Sequence, residues 1–251
     1  MEQSRYLSAF ALMRNYFCKA LINSSEPYSY LMTRTTKDLI KSFSIGFCPQ
    51  DSTPLIEHFK KIYSQEEILN LGIFSLKDGR ILNRFSNRVV FPVCSSANKV
   101  LGFVGRTVES SPFKYLKSSD TDFFKQGDLF FGLPQALPYI LSSRTVFIVE
   151  GLFDVLAMHQ AGIKNTIATL GTSISSSQLD CLRFYADKIF ILFDGDSAGQ
   201  SGAMVVKSKA LDKGLLVDTL SLPIGDDPDS LFHELGKDVF RSYILSINNH
   251  Q

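Results

Sequence analysis

Along the first part of the chain, Leu7, Phe10, Ala11, Met13, Tyr16 and Phe17 recur near helical spacing, so the pattern predicts helices until Pro27 intervenes. A second helix is expected over residues 36–43, then a turn at Ile45-Gly46-Phe47-Cys48-Pro49. Helical segments follow over 54–63 and 65–70, stopping at Gly72. From Arg88 the apolar residues bunch into short β-rich runs, 89–93 and 100–105, parted by the polar Ser95-Ser96-Ala97-Asn98. That arrangement reads as a hairpin. Residues 110–127 are polar, basic and aromatic, and an irregular segment is expected there.

After Arg144 the pattern becomes regular. Strands are expected over 145–149, 166–170, 189–193 and 216–222, and helices over 154–161, 175–185 and 198–213. Strands alternating with helices imply an α/β fold whose parallel sheet is covered on both faces. In such sheets ligands bind beyond the carboxyl ends of the strands.

Composition narrows the classes. With 251 residues and a 45% hydrophobic fraction, the chain can bury the core of one large domain or two modest ones. No apolar run approaches the ~20 residues that cross a bilayer, because Arg5, Arg14 and Lys19 break the most apolar N-terminal stretch, so a cytoplasmic protein without membrane contact is expected. Cys18, Cys48, Cys94 and Cys181 form no C-x-x-C pair, and His58, His159, His233 and His250 show no ligand spacing, so no zinc site and no disulfide framework are expected. The net charge of +1 conceals a division: residues 1–144 hold 18 Lys+Arg against 12 Asp+Glu, residues 145–251 hold 8 against 13. A basic half suits a polyanion such as nucleic acid, and an acidic half suits divalent cations.

The acids fall at strand exits. Glu150 follows the apolar run Val146-Phe147-Ile148-Val149, Asp194 and Asp196 follow the strand ending at Phe193, and Asp227 and Asp229 come shortly after the last strand. All five are expected to converge on one sheet edge, with Asp154 a helical turn beyond Glu150 and Gly151, Gly195 and Gly225 permitting tight turns. Singly, each has a plainer reading: Glu-Gly as a turn, Asp-x-Asp as a solvated loop, Asp-Asp-Pro-Asp as a helix N-cap. Together, crowded carboxylates repel unless cations neutralise them, and Mg²⁺ or Mn²⁺ prefers such oxygen ligands. A carboxylate-held metal at a sheet edge suits phosphoryl or nucleotidyl transfer, and neither a Gly-x-x-x-x-Gly-Lys-Ser/Thr loop nor a Gly-x-Ser-x-Gly elbow competes.

These residues resemble the Toprim domain shared by bacterial-type primases, type IA and II topoisomerases and some nucleases. Val149-Glu150-Gly151-Leu152-Phe153-Asp154-Val155 resembles its first motif in the primase form, and Leu170-Gly171-Thr172-Ser173 a primase signature turn. Asp194-Gly195-Asp196-Ser197-Ala198-Gly199 resembles the metal-binding motif, and Asp226-Asp227-Pro228-Asp229-Ser230 the third acidic motif. Upstream, the stretch from Arg84-Phe85-Ser86-Asn87-Arg88 to Val93, then Gly102-Phe103-Val104-Gly105-Arg106, Lys114-Tyr115-Leu116 with Ser118, and Phe131-Gly132-Leu133 resemble DnaG-like primase segments.

The resemblance implies a Toprim parallel-sheet domain preceded by a mixed α+β primase-type N-terminal subdomain. The expected divisions are 1–143 for that basic subdomain, 144–223 for the Toprim domain, and 224–251 for the third acidic motif with a short helical segment. It implies a DNA primase catalytic core, a DNA-directed RNA polymerase that makes short RNA primers from ribonucleoside triphosphates on a single-stranded DNA template. Glu150, Asp154, Asp194 and Asp196 would be catalytic, with Glu150 a metal ligand or a base. Glu150, Asp194, Asp196, Asp227 and Asp229 would hold Mg²⁺ or Mn²⁺. Arg84, Arg88, Arg106, Lys114, Tyr115 and Lys125 would bind template and nucleotide, while Phe123 and Phe124 are expected in the core.

Lys117 stands where the family usually has Asn, and Lys125-Gln126 shifts a basic position by one, which weakens those two nucleotide contacts. The family's zinc ribbon and its C-terminal helical, helicase-binding regions have no counterpart here, so a minimal core is expected, with a replicative helicase or a zinc-ribbon protein in trans as candidate partners. The rivals are a Toprim nuclease, which leaves the basic segment from Arg84 to Lys114 unexplained, and a non-catalytic DNA-binding accessory protein, against which every acidic motif is retained.

Overall fold

Tyr6, Ala9, Phe10, Met13, Phe17 and Leu21 form one buried stripe along α1 (Gln3–Ile22), which shares Phe10, Met13 and Phe17 with the pattern read from the sequence and leaves Leu7, Ala11 and Tyr16 half-buried. The structure, a computed structural model, describes residues 1–109, 113–171 and 173–249, in two compact units, Met1–Lys125 and Gln126–Gln251.

In the first unit α1 is followed by α2 (Ser25–Met32), α3 (Lys37–Ser42), β1 (Gly46–Cys48), α4 (Thr53–Lys60) and α5 (Gln65–Leu69). Pro27 does not end a helix. It lies in the first turn of α2, where its missing N–H has no intrahelical partner to lose. Residues 46–48 are a strand rather than the expected turn, paired antiparallel with β4. A Cβ on Gly46 would come within 2.6 Å of the Phe17 backbone, so only glycine lets this strand press against α1.

The hairpin β2 (Phe74–Lys77) and β3 (Arg80–Asn83) has no counterpart in the sequence reading, although Asp78 (φ 49) and Gly79 (φ 71) form the left-handed pair favoured in two-residue turns. Next come β4 (Arg88–Cys94), β5 (Val100–Thr107) and β6 (Tyr115–Lys117), which complete a sheet of order β1-β4-β5-β6. The hairpin expected over 89–105 is present, while β6 replaces part of the segment expected to be irregular; residues 110–112 lie outside the described residues. Phe10 and Phe17 of α1 pack on Phe103 of β5 at ring separations of 5.5 and 5.4 Å. Phe124 is fully buried, in space that Gly102 leaves for its ring, and Phe123 packs on Tyr6.

The second unit begins with a short 3-10 turn at Gln126–Asp128, then β7 (Phe130–Phe131) and α6 (Leu133–Ser143). β7 pairs antiparallel with β9, so the compact units divide at 125/126, ahead of the 143/144 division read from the sequence. The alternation then runs β8 (Thr145–Val149), α7 (Leu152–Gln160), β9 (Thr166–Thr169), α8 (Ser176–Arg183), β10 (Lys188–Ile191), α9 (Ser197–Asp212), β11 (Leu216–Thr219), α10 (Pro228–Leu235) and α11 (Lys237–Asn249). The sheet order is β11-β10-β8-β9-β7, parallel except for β7. Helix α7 is buried from Leu152 to His159 and packs against α10, so residues 224–249 belong to this unit rather than to a separate segment. Val146, Ile148, Ile167, Ile189 and Ile191 fill the core beneath α8 and α9.

Candidate active site

β8 and β10 lie side by side with Ile148 opposite Ile191, so the residues just beyond them emerge at the same sheet edge. Glu150 follows β8, and its Oε1 accepts a hydrogen bond from the Asp194 amide at 3.2 Å. Two glycines make this approach feasible. A Cβ on Gly199 would sit 2.9 Å from Glu150 Oε1 and 2.3 Å from the Asp194 carbonyl oxygen, and one on Gly195 would sit 2.0 Å from the Pro223 carbonyl oxygen. The Gly195 amide also donates to the Asp226 carbonyl at 2.9 Å, tying the loop after β10 to the loop that carries Asp227.

Asp154, at the start of α7, joins these pieces. Its Oδ2 accepts from the Gly151 amide at 2.7 Å and its Oδ1 from the Asp229 amide at 3.3 Å. Asp196 caps α9, accepting from the Gly199 amide at 2.7 Å, and Asp227 caps α10, accepting from the Ser230 amide at 2.6 Å. Asp227 is thus the N-cap of its helix, and capping takes up one carboxylate oxygen of Asp196 and one of Asp227. Asp229 is nearly fully buried, and its Oδ1 faces His233 Nε2 at 3.4 Å. Its geometry sets it apart from the other four acids.

The electrostatics record the crowding. Burial, then Asp227, Asp194 and Glu150, push the Asp154 carboxyl up to about 8. Burial, then Glu150, Asp227 and Asp196, push Asp194 up to about 6. Glu150 is also raised, chiefly by burial and secondarily by Asp196. Among the described residues no three of these carboxylates stand close enough together to hold a metal ion as they are. Even so, the Asp194 Oδ1 atom is buried and accepts no hydrogen bond, an arrangement that costs free energy unless something positive meets it. The donor set, all carboxylate oxygen, is of the kind that a hard divalent cation takes. Thr172 of the signature turn lies outside the described residues.

In the first unit the basic residues separate into distinct environments. The Arg84 guanidinium donates to the Gly72 carbonyl at 3.0 Å and to Ser119 Oγ. Arg88 donates to the Lys114 backbone carbonyl at 3.3 Å, and Lys114 is exposed. Arg106 differs: the register sets Arg88 opposite Thr107 and Val89 opposite Arg106, so Arg88 and Arg106 project to opposite sheet faces. Arg106 is 8% exposed, donates to the Tyr115 hydroxyl at 3.0 Å, and lies 5.5 and 5.4 Å from the ring centroids of Tyr30 and Tyr115. Tyr115 and Lys125 are exposed, and Lys117 is half-buried with its pKa lowered by desolvation. Nothing in the sequence pattern marks Tyr30, Ser119 or Pro223, because their roles exist only through contacts distant along the chain.

The profile for the N-terminal domain of the DNA primase catalytic core matches residues 16–137, and a Toprim-like profile matches residues 147–232. The DNA primase of Clostridium acetobutylicum is 34% identical over 227 residues, 90% of this chain but 38% of that protein, so the chain spans about two-fifths of this relative's length. A DNA primase domain from Pseudomonas aeruginosa superposes with a TM-score of 0.86 at 31% identity, covering 96% of this chain and 78% of that one. A DnaG primase catalytic domain bound to single-stranded DNA gives 0.88 at 28% identity, covering 97% and 79%. With two profiles in order along the chain, and a solved primase domain more than 30% identical and more than two-thirds covered, the chain belongs to the family of DnaG-type DNA primase catalytic cores.

Proposed function

We propose that this chain carries the nucleotidyl-transfer centre of a DNA primase, extending RNA from ribonucleoside triphosphates on a single-stranded DNA template. The observation that carries the reading is the convergence of Glu150, Asp194, Asp196 and Asp227 at one sheet edge, where the buried Asp194 Oδ1 has no hydrogen-bond donor. Glu150, Asp194, Asp196 and Asp227 would hold Mg²⁺ or Mn²⁺. Asp154 and Asp229 would position them, Asp154 through the amides of Gly151 and Asp229. When bound, the cation supplies positive charge to the oxygens of an in-line displacement at phosphorus. In that displacement the primer 3′-oxygen bonds to the α-phosphorus as pyrophosphate departs. Glu150 would accept the hydroxyl proton if it is not spent as a ligand. Arg84, Arg88 and Lys114 are the basic groups available for phosphates, supported by the solved relative that binds single-stranded DNA. A helicase or a zinc-ribbon protein would act as partner in trans.

The test is ribonucleotide incorporation on single-stranded DNA with Mg²⁺ or Mn²⁺. Asp194→Asn is expected to abolish synthesis while the fold persists. Near-normal synthesis by that variant would refute the metal assignment. Strand cutting by the parent protein would replace this reading with a nuclease, and binding alone with an accessory protein.

A further inference from the structure

At the far end of the β4–β5 hairpin from Arg88, a cleft of about 280 Å³ opens between α1 and the turn, lined by Leu7, Ser8, Ala11, Arg14, Asn98, Lys99 and Val100. β4 runs the seven residues from Arg88 to Cys94, a span of roughly 20 Å at ~3.3 Å per residue, so the cleft is distinct from the Arg84, Arg88 and Lys114 set. Two cations stand on its wall. Neither the Arg14 nor the Lys99 side chain has a carboxylate, ring or hydrogen-bond partner among the described residues.

The turn that presents Lys99 is fixed in advance. The Ser95 amide donates to the Lys99 carbonyl at 2.9 Å, the Asn98 amide to the Ser95 carbonyl at 2.9 Å, and the Lys99 amide to Ser95 Oγ at 3.3 Å. Asn98 holds φ at 58°, a left-handed conformation uncommon outside glycine. Asn98 is itself one of the residues that line the cleft.

We propose that this cleft binds an acidic peptide segment of a protein partner, two carboxylates meeting Arg14 and Lys99 and an apolar side chain resting on the half-buried Leu7 and Ala11. Charge complementarity commits it to an anion. The lining favours peptide over nucleic acid, because it has no aromatic platform on which a base would stack and no row of cations to track a phosphate backbone. The proposal does not depend on the metal site.

Fluorescence anisotropy tests it with a short fluorescein-labelled peptide of alternating glutamate and leucine, its glutamine counterpart, and an oligothymidylate. The glutamate peptide is expected to bind the parent protein, and the glutamine peptide to bind about tenfold more weakly or worse, equivalent to about 1.4 kcal/mol. Arg14→Gln with Lys99→Gln should weaken the glutamate peptide by a similar factor and leave oligothymidylate affinity unchanged. Lys99→Glu, at an exposed position, gives the same readout should the double variant lose its fold. Absence of peptide binding, equal binding by the variants, or equal binding of the glutamine peptide would overturn the proposal. Loss of oligothymidylate affinity with peptide affinity intact would make the cleft part of the nucleic-acid path instead.

Discussion

Asp154 and Asp194 bear the consequence of gathering carboxylates at one sheet edge: both are raised, to about 8 and about 6, by burial first and by the neighbouring acids second. An acid whose folded-state pKa is raised contributes stability that is fully present below its unfolded value and is lost as pH rises through the folded one. His159 runs the other way. Burial lowers it to about 4, so its contribution is present above its ordinary value and lost as pH falls toward 4. Above pH ~6.5 the histidine contribution is flat, and a decline in stability toward pH 8 reports chiefly Asp154, whose raised value lies there. The metal-free melting temperature is therefore expected to fall over that interval, and in Asp194→Asn to fall less and end higher at pH 8. An identical decline in parent and variant, followed by calorimetry, would detach Asp194 from the cluster. Glu150→Gln keeps shape but removes the charge and the ability to accept a proton, so synthesis should drop by orders of magnitude. Partial recovery at raised Mn²⁺ would identify a ligand, recovery at raised pH a base, and undiminished activity neither.

At the scale of elements, two loops are locked together through a residue with no side chain. Gly195 brings the turn after β10 against Pro223 and donates its amide to the Asp226 carbonyl. Adding a methyl group 2.0 Å from a backbone oxygen forces one loop to move. Gly195→Ala is expected to cost about 1–3 kcal/mol by denaturant melts, as overpacking usually does, and to suppress synthesis by separating Asp194 and Asp196 from Asp227. An alanine variant with parental stability and activity would show that the clamp is not needed. Gly46 plays the corresponding part in the first unit, where β1 lies against Phe17 of α1.

Across the whole molecule, charge follows the two compact units: residues 1–125 hold 17 Lys+Arg against 11 Asp+Glu, and residues 126–251 hold 9 against 14. Phosphate contacts release counterions, so affinity for single-stranded DNA should fall steeply with salt. Arg84→Ala or Arg88→Ala should weaken binding across sequences and flatten the salt slope, measured by titrations at several ionic strengths. Arg106→Ala should behave differently, because Arg106 is buried between Tyr30 and Tyr115: it should lower stability more than it changes the slope. A slope that responds to Arg106 and ignores Arg84 and Arg88 would reverse these roles.

The sequence by itself determined the elements whose period is uninterrupted. The stripe of α1, the hairpin of β4 and β5, and the alternation from β8 to β11 all follow from where apolar residues must go to be buried, and the acids are legible because they sit at the ends of those strands. The tertiary structure decided what depends on partners far along the chain. β1 and β6 are three-residue strands, too short for a period, and exist because β4 and β5 offer open edges. Pro27 looks like a helix stop but occupies a first turn, where its ring does no harm. Arg84, Arg88 and Arg106 are alike as residue types, yet pairing register sends Arg88 and Arg106 to opposite faces and two tyrosines enclose Arg106. Asp229 reads like Asp227 in the motif, but two positions further into the helix start its carboxylate faces His233, while Asp227 is the neighbour that raises Asp194. A sequence states which charges exist. Which of them share a surface is set by register and helix phase, and a shift of one residue is enough to change it.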